Sequence, residues 1–369
     1  MRILFIAGRE PAYMRNAVIL DGLRKNGIEI IECTSSSSSY LVRYLKVLGK
    51  FILNREKDFD VIFIGYFGQP LVPIIRKLTN KPIIFDAFLS SYDTMCFDRK
   101  RFKPNSLGGR IFYWLDKYSC EIADKILLDT NAHVDYFVNL LGLKREKFQR
   151  VFVGADDSIF FPQNAKRNDE VFRVFYWSIY HPLHGVEHII RAAEKLKGYE
   201  DIEFEIIGRG MEYKRIRELA EKQNLKNIKF VEWIPFNKFY ATIAEKISLA
   251  DICIGGHLSD IDKAKRTIAE KTFEFIAMKK PVIVGDNPAN KELLEDKKNA
   301  LFVDHANSDA LADAILELKD DKKLREGIAE NGYKTFKERC TPEVIGKEIM
   351  GIIENLDNSR PISRVVVPN

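Results

Sequence analysis

The sequence predicts an α/β protein made of two doubly wound domains that face one another across a cleft. Short apolar runs of strand type alternate with amphipathic segments of helical spacing along the whole chain, the pattern of parallel sheets covered on both faces. The alternation pauses over the polar, proline-bearing stretch DSIFFPQNAKRNDE (157–170) and then begins again. At 369 residues the chain is long enough for two cores of ordinary size.

In the first half, ILFIAG (3–8), IEIIEC (28–33), VIFIGYF (61–67), PIIFDAF (82–88), KILLDT (125–130) and FQRVFVG (148–154) read as strands. Helices are expected over 16–26, 70–78, 110–123 and 131–141, and the serine run 35–39 reads as a loop. After 157–170 come strands FRVFYWS (172–178), FEIIG (204–208), IKFVEW (228–233), ICIGG (252–256), PVIVGD (281–286) and ALFV (300–303). Helices are expected between them over 185–197, 211–223, 236–247, 268–278 and 288–295, then over 308–318, 321–337 and 342–356. Both halves are thus Rossmann-like. The expected divisions are 1–165 for an acceptor-side domain, 166–340 for a donor-side domain, and 341–369 for a helix and tail with a path back to the first domain. Ligands of such sheets bind beyond the carboxyl ends of the strands, so the cleft is the expected site.

With 46% apolar and 30% charged residues the composition is that of a globular protein, which excludes the disordered and collagen-like classes. No apolar run approaches the roughly 20 residues that span a bilayer. The start, MRILFIAGRE, fits a first strand and is too short in its apolar run for a signal peptide, so a cytoplasmic location is expected. Five scattered cysteines lack any CxxC pair, which points to reduced thiols. His181, His184 and His188 have a spacing that invites a metal reading, but Pro182 and Gly185 break the segment and no acid or cysteine stands at ligand spacing. No metal or cofactor is expected.

Charge is uneven. Residues 1–170 carry 26 Lys and Arg against 20 Asp and Glu, and the remainder 32 against 33. The excess gathers in YLVRYLKVLGKFILNREK (40–57) and RKRFKPNSLGGR (99–110). The first stretch interleaves cations with apolar residues as a helix lying on an anionic membrane surface does; an ordinary surface helix is the alternative. A peripheral place on the inner face of a membrane is therefore carried as an expectation. Without a recognition motif, nucleic acid is not an expected partner.

The chemistry concentrates in KAKRTIAEKTFEFIAMKKPVIVGD (263–286). Lys263, Lys265 and Arg266 precede a helix start, where free N–H groups and the helix dipole favour an anion such as a diphosphate. Glu274, about two turns on, has the acceptor geometry for two adjacent ribose hydroxyls. The alternative is a solvated cationic loop ahead of a surface helix.

KTFEFIAMKKPVIVGD (271–286), NALFVD (299–304) and GADDSIFFP (154–162) together resemble segments of the retaining, nucleotide-sugar-dependent glycosyltransferases of the group 1 family, which have the GT-B fold. The resemblance runs over most of the chain. It implies transfer of a glycosyl group from a nucleoside-diphosphate sugar to an acceptor hydroxyl with retention, in the synthesis of a surface glycan, polysaccharide or glycolipid, with no metal. Glu274 matches the second of the family's two glutamates, whereas the first falls on Arg266. The family's diphosphate-gripping Arg and Lys fall near Ile179 and on His184, so the resemblance transfers that grip to Lys265, Arg266 and Lys271, with His184 donating from the helix start at Gly185. Arg209 and Thr267 complete the expected donor set. Where the family has a histidine after the fourth strand, this chain has Asp86, the candidate catalytic residue, with Asp93 and Asp98 as further candidates; an Asx turn or helix cap is the alternative for Asp86. Gly8, Arg15 and Asn16 are expected to face the cleft from the first strand–loop–helix, the arginine toward a phosphate or simply toward solvent. A dinucleotide oxidoreductase is disfavoured because AGREPAY lacks GxGxxG. A same-fold nucleotide-sugar epimerase and a non-catalytic sugar-nucleotide binder stay open.

Overall fold

A computed structural model describes residues 1–359 except 164, 166, 232, 233, 236 and 237; of 357–359 it describes the backbone. Parts of the expected linker, the end of the 228–233 strand, the start of the 236–247 helix and the tail 360–369 therefore lie outside the described residues.

The first domain runs β1 (Arg2–Ala7), α1 (Met14–Lys25), β2 (Glu29–Cys33), α2 (Tyr40–Asn54), β3 (Val61–Gly65), α3 (Leu71–Arg76), β4 (Ile83–Asp86), α4 (Ser91–Asp93), α5 (Leu107–Ile122), β5 (Lys125–Leu128), α6 (Asn131–Leu141) and β6 (Phe148–Arg150). Its six parallel strands are ordered β2-β1-β3-β4-β5-β6. The second domain runs β7 (Phe172–Ile179), α7 (Val186–Lys195), β8 (Ile202–Arg209), α8 (Tyr213–Lys222), β9 (Ile228–Val231), α9 (Phe239–Ser248), β10 (Ile252–Ile254), α10 (Glu270–Ala277), β11 (Val282–Gly285), α11 (Pro288–Lys291), β12 (Leu301–Val303), α12 (Ser308–Asp320) and α13 (Lys322–Arg339), and α14 (Pro342–Ser359) follows. Its sheet is also six-stranded and parallel, ordered β12-β11-β10-β7-β8-β9. Strands such as Val61–Gly65 are buried at every residue, as a sheet covered on both faces requires.

Two departures from the expected elements have local causes. Strand β6 stops at Arg150 instead of 154, because the carbonyls of Val151 and Phe152 turn inward to the Arg15 guanidinium at 2.8 and 2.7 Å. Residues 91–98, given no element from the sequence, form α4 followed by a π-helical turn over Thr94–Asp98. That helix start is built by tertiary contact. The buried Asp116 carboxylate of α5 accepts from Ser90 Oγ, Ser91 N and Tyr92 N at 2.7, 3.1 and 2.9 Å, and Ser90 Oγ in turn caps Asp93 N at 2.9 Å.

Helix α14 lies against α1 of the first domain, where Asn26 Nδ2 donates to Glu343 O at 2.9 Å and Arg150 pairs with Glu348 at 3.4 Å. The chain therefore returns to the first domain after completing the second.

Candidate active site

The second sheet reverses direction between β7, which leads outward to β8 and β9, and β10, which leads the other way to β11 and β12. Such a switch point leaves a crevice beyond the carboxyl ends of the two strands. The loop after β7 supplies His181 to His184, the loop after β10 supplies His257, and α10 brings Glu270, Lys271 and Glu274 beside them.

Glu274 is fully buried. Its Oε2 accepts from Trp177 Nε1 at 2.9 Å, and its Oε1 has no partner. Burial first, and Glu270 second, push its carboxyl well above the ordinary range, against the pull of Trp177 and Lys271. Lys271 is 3% exposed, has no hydrogen-bond or ion-pair partner among the described residues, and lies 5.1 Å from the Tyr176 ring and 5.6 Å from the Trp177 ring. Burial lowers its ammonium to about 8, opposed by Glu274 and Glu270. Glu270 is pushed up to about 7 by burial, against the Tyr13 hydroxyl of the first domain, Lys271 and Arg9.

His184 and His257 face one another with ring centroids 5.0 Å apart, and the buried Nδ1 of each is without a partner. Burial, with Lys271 next, lowers both well below the usual imidazole value, so both are neutral. Gly185 places this turn: its φ is 65°, and a Cβ there would sit 2.5 Å from Ser259 N. Helix α10 starts at Glu270 after the N-cap residue Ala269, with no side chain capping it, which leaves its leading N–H dipoles available. Buried, unpaired polar groups at a sheet's switch point are chemically suited to an anion with hydroxyls attached.

Several expectations are corrected. Arg15 and Asp86 are both fully buried and bound to each other, Nε to Oδ2 at 3.1 Å and Nη2 to Oδ1 at 2.8 Å. Neither faces a phosphate or an acceptor: with its remaining donors on the Val151 and Phe152 carbonyls, Arg15 ties β4 to the end of β6. Gly8 is pressed against the neighbouring loop, and a Cβ there would fall 1.9 Å from Phe67 O, so its smallness serves packing. Lys265 turns outward to Asp260 at 2.6 Å. Arg266 crosses to the first domain, Nη2 to Asp93 Oδ2 at 3.2 Å, and Lys263 Nζ reaches Thr94 Oγ1 at 2.9 Å and Asp98 Oδ2 at 3.5 Å. The cationic loop is therefore committed to bridging the domains, because α4 and the π-helical turn it meets each carry a buried carboxylate, Asp93 and Asp98. Thr267 Oγ1 donates to Lys263 O at 3.3 Å within that loop, and exposed Arg209 ends β8 beside Ile179 of β7. His188 stands apart from His184, 3.7 Å from Glu187.

Trp177, Tyr176, His257 and Glu270 have no place in the sequence-based site. Only Glu270 had a signal, since it shares one helical face with Glu274 at i, i+4.

Residues 157–335 match the family described as Glycosyl transferases group 1, and this second domain belongs to it. An uncharacterized glycosyltransferase of Methanocaldococcus jannaschii is 27% identical over 85% of this chain and 79% of its own length. The alpha-D-kanosaminyltransferase of Streptomyces kanamyceticus is 22% identical over 78% of this chain and 71% of its own. Among solved structures, sucrose-phosphate synthase from Thermosynechococcus elongatus superposes with a TM-score of 0.73 at 14% identity, covering 97% of this chain and 99% of that one. Anabaena HepE in complex with UDP gives 0.71 at 15% identity, covering 96% and 100%. The fold is GT-B, and the protein is a glycosyltransferase of that architecture.

Proposed function

We propose that this glycosyltransferase takes its sugar from a nucleoside diphosphate, retains configuration at the anomeric carbon, and delivers it to a glycan or lipid-linked acceptor in surface glycan, polysaccharide or glycolipid synthesis. The carrying observation lies on α10: Glu274 Oε1 is buried without a donor, and the largely buried Lys271 has no anion within ion-pairing distance among the described residues. A nucleotide's ribose hydroxyls satisfy the first and its diphosphate the second. Structures of HepE with UDP and with UDP-glucose lend support.

In this reading the bond from the anomeric carbon to the phosphate oxygen breaks, and the acceptor oxygen bonds the same face. The acceptor proton passes to the departing phosphate oxygen, so no protein base is required. Negative charge grows on the leaving diphosphate, where Lys271 and the open N–H groups of α10 stabilise it. The neutral His184 and His257 donate from their free ring nitrogens.

Calorimetric titration with UDP and a panel of nucleotide sugars tests the donor site. Glu274→Ala should weaken binding at least tenfold, about 1.4 kcal/mol; unchanged affinity would remove the ribose role. Release of nucleoside diphosphate only when acceptor is present supports transfer, interconversion of donors would make the enzyme an epimerase, and binding without turnover would make it a receptor.

A further inference from the structure

Helices α2, α3 and α5 cover one face of the first sheet. Val47 and Phe51 of α2, Leu71, Val72 and Ile75 of α3, and Cys120 of α5 share a single core cluster with Leu4, Ile62 and Phe85 of the strands. The outward faces of α2 and α5 are also apolar, and α3 adds one exposed apolar residue. On α2, Leu41, Leu45 and Leu53 are 70%, 63% and 81% exposed; on α5, Leu107, Ile111 and Trp114 are 77%, 53% and 56% exposed. Ile74 on α3 is exposed between them in chain order. Positions 41, 45 and 53, and 107, 111 and 114, follow helical spacing, so each set is one stripe. Two stripes with Ile74 over one sheet face make a broad exposed patch, and such patches mark interaction surfaces.

The charge around it selects the partner. Residues 40–54, 71–82 and 99–115 contain no aspartate or glutamate. Lys46, Lys77, Arg101, Lys103 and Arg110 are exposed and have no acidic partner among the described residues. A second copy of the same face would oppose cation to cation. An anionic lipid surface instead satisfies both features, taking the leucines and the tryptophan into the headgroup boundary and the cations onto phosphates.

We infer that α2, α3 and α5 form a membrane-docking face for a bilayer containing anionic lipid. The face reaches the cleft rim at two points. Tyr40, at the start of α2, receives Arg9 Nη1 at 2.8 Å and lies 5.6 Å from Phe67. Exposed Phe97 sits in the π-helical turn that receives Lys263 from the second domain. If the donor reading above holds, a lipid-embedded acceptor enters from this side; docking itself does not rest on that reading.

Cosedimentation of the full chain with phosphatidylcholine–phosphatidylglycerol vesicles, against pure phosphatidylcholine, is the test. The protein should pellet with the anionic vesicles and be released by added salt. The double variant Leu45→Glu/Leu53→Glu should bind at least about tenfold more weakly, with unchanged melting temperature and UDP affinity. Failure to pellet with anionic vesicles, or equal pelleting by the folded variant, overturns the inference. A concentration-dependent dimer that the variant disperses, with no vesicle binding by either protein, overturns it in favour of a second copy. Loss of UDP affinity in Glu274→Ala leaves vesicle binding intact, which separates this inference from the donor site.

Discussion

Arg266 and Asp93 join the two domains across the cleft, Nη2 to Oδ2 at 3.2 Å, with the guanidinium 3.7 Å from the centre of the Tyr136 ring. Tyr136 donates to the other oxygen of Asp93 at 3.3 Å. A cation stacked on one first-domain residue and paired with another holds the cleft closed at a defined angle. Removing either partner should open it. In a double-mutant cycle, Arg266→Ala and Asp93→Ala should couple by about 0.5–3 kcal/mol, and each single variant should raise the radius of gyration in X-ray scattering. Additive effects with no change in shape would mean that the contact contributes nothing to closure.

Arg15 and Asp86 make the other charged contact of consequence, and its burial sets the expectation. Burial raises the Asp86 carboxyl while Arg15 pulls it down. Replacing one member strands the other as a buried charge, which costs about 3–5 kcal/mol. Asp86→Ala should therefore lose that much in urea denaturation, and Arg15→Met/Asp86→Leu should lose much less than the two single changes combined. A folded Asp86→Asn of normal stability that has lost only turnover would return Asp86 to the catalytic site.

The sequence carried the fold well because strands buried on both faces are written as continuous apolar runs: Val61–Gly65 and Val282–Gly285 are legible without any partner. The helix that carries Glu274, and the strand after it, were legible from the same apolar periodicity. Segment 91–98 was not, since its helix depends on Asp116, 25 residues away from Ser91. Arg15 and Arg266 misled for the same reason. Whether an arginine meets phosphate, carboxylate or solvent depends on which groups the tertiary fold brings to it, and neither Asp86 nor Asp93 announces its partner in the chain.

The acidic pair on α10 makes stability depend on pH. Glu270 holds its proton in the folded state up to about 7, whereas an unfolded glutamate loses it near 4.5. Between those values the folded state binds more protons than the unfolded one, so stability is present at low pH and falls as pH rises through that window. Glu274, pushed up in the same direction, prolongs the fall. Melting temperature should drop from pH 5 to pH 7.5 in the wild type, and Glu270→Gln should flatten that slope. An equal slope in the variant would assign the proton uptake elsewhere.

Lys271 sets function against stability. The residue is 3% exposed, and no carboxylate lies within ion-pairing distance of its ammonium among the described residues. Burying a charge without a partner is costly. Lys271→Met keeps the apolar stem, fills nearly the same space beside Tyr176 and Trp177, and removes the desolvated charge, so it should stabilise the unliganded protein by about 1 kcal/mol or more. The same change should weaken UDP binding at least tenfold, since the ammonium has no substitute at that position. Its charge also links binding to pH: the free amine titrates near 8, so wild-type affinity should decline as pH rises above that value while the methionine variant stays flat. Calorimetric titration of both proteins at pH 7 and pH 9, with melting curves on the same samples, decides the matter. A destabilised variant with wild-type affinity would make Lys271 a structural residue and leave the diphosphate to other groups.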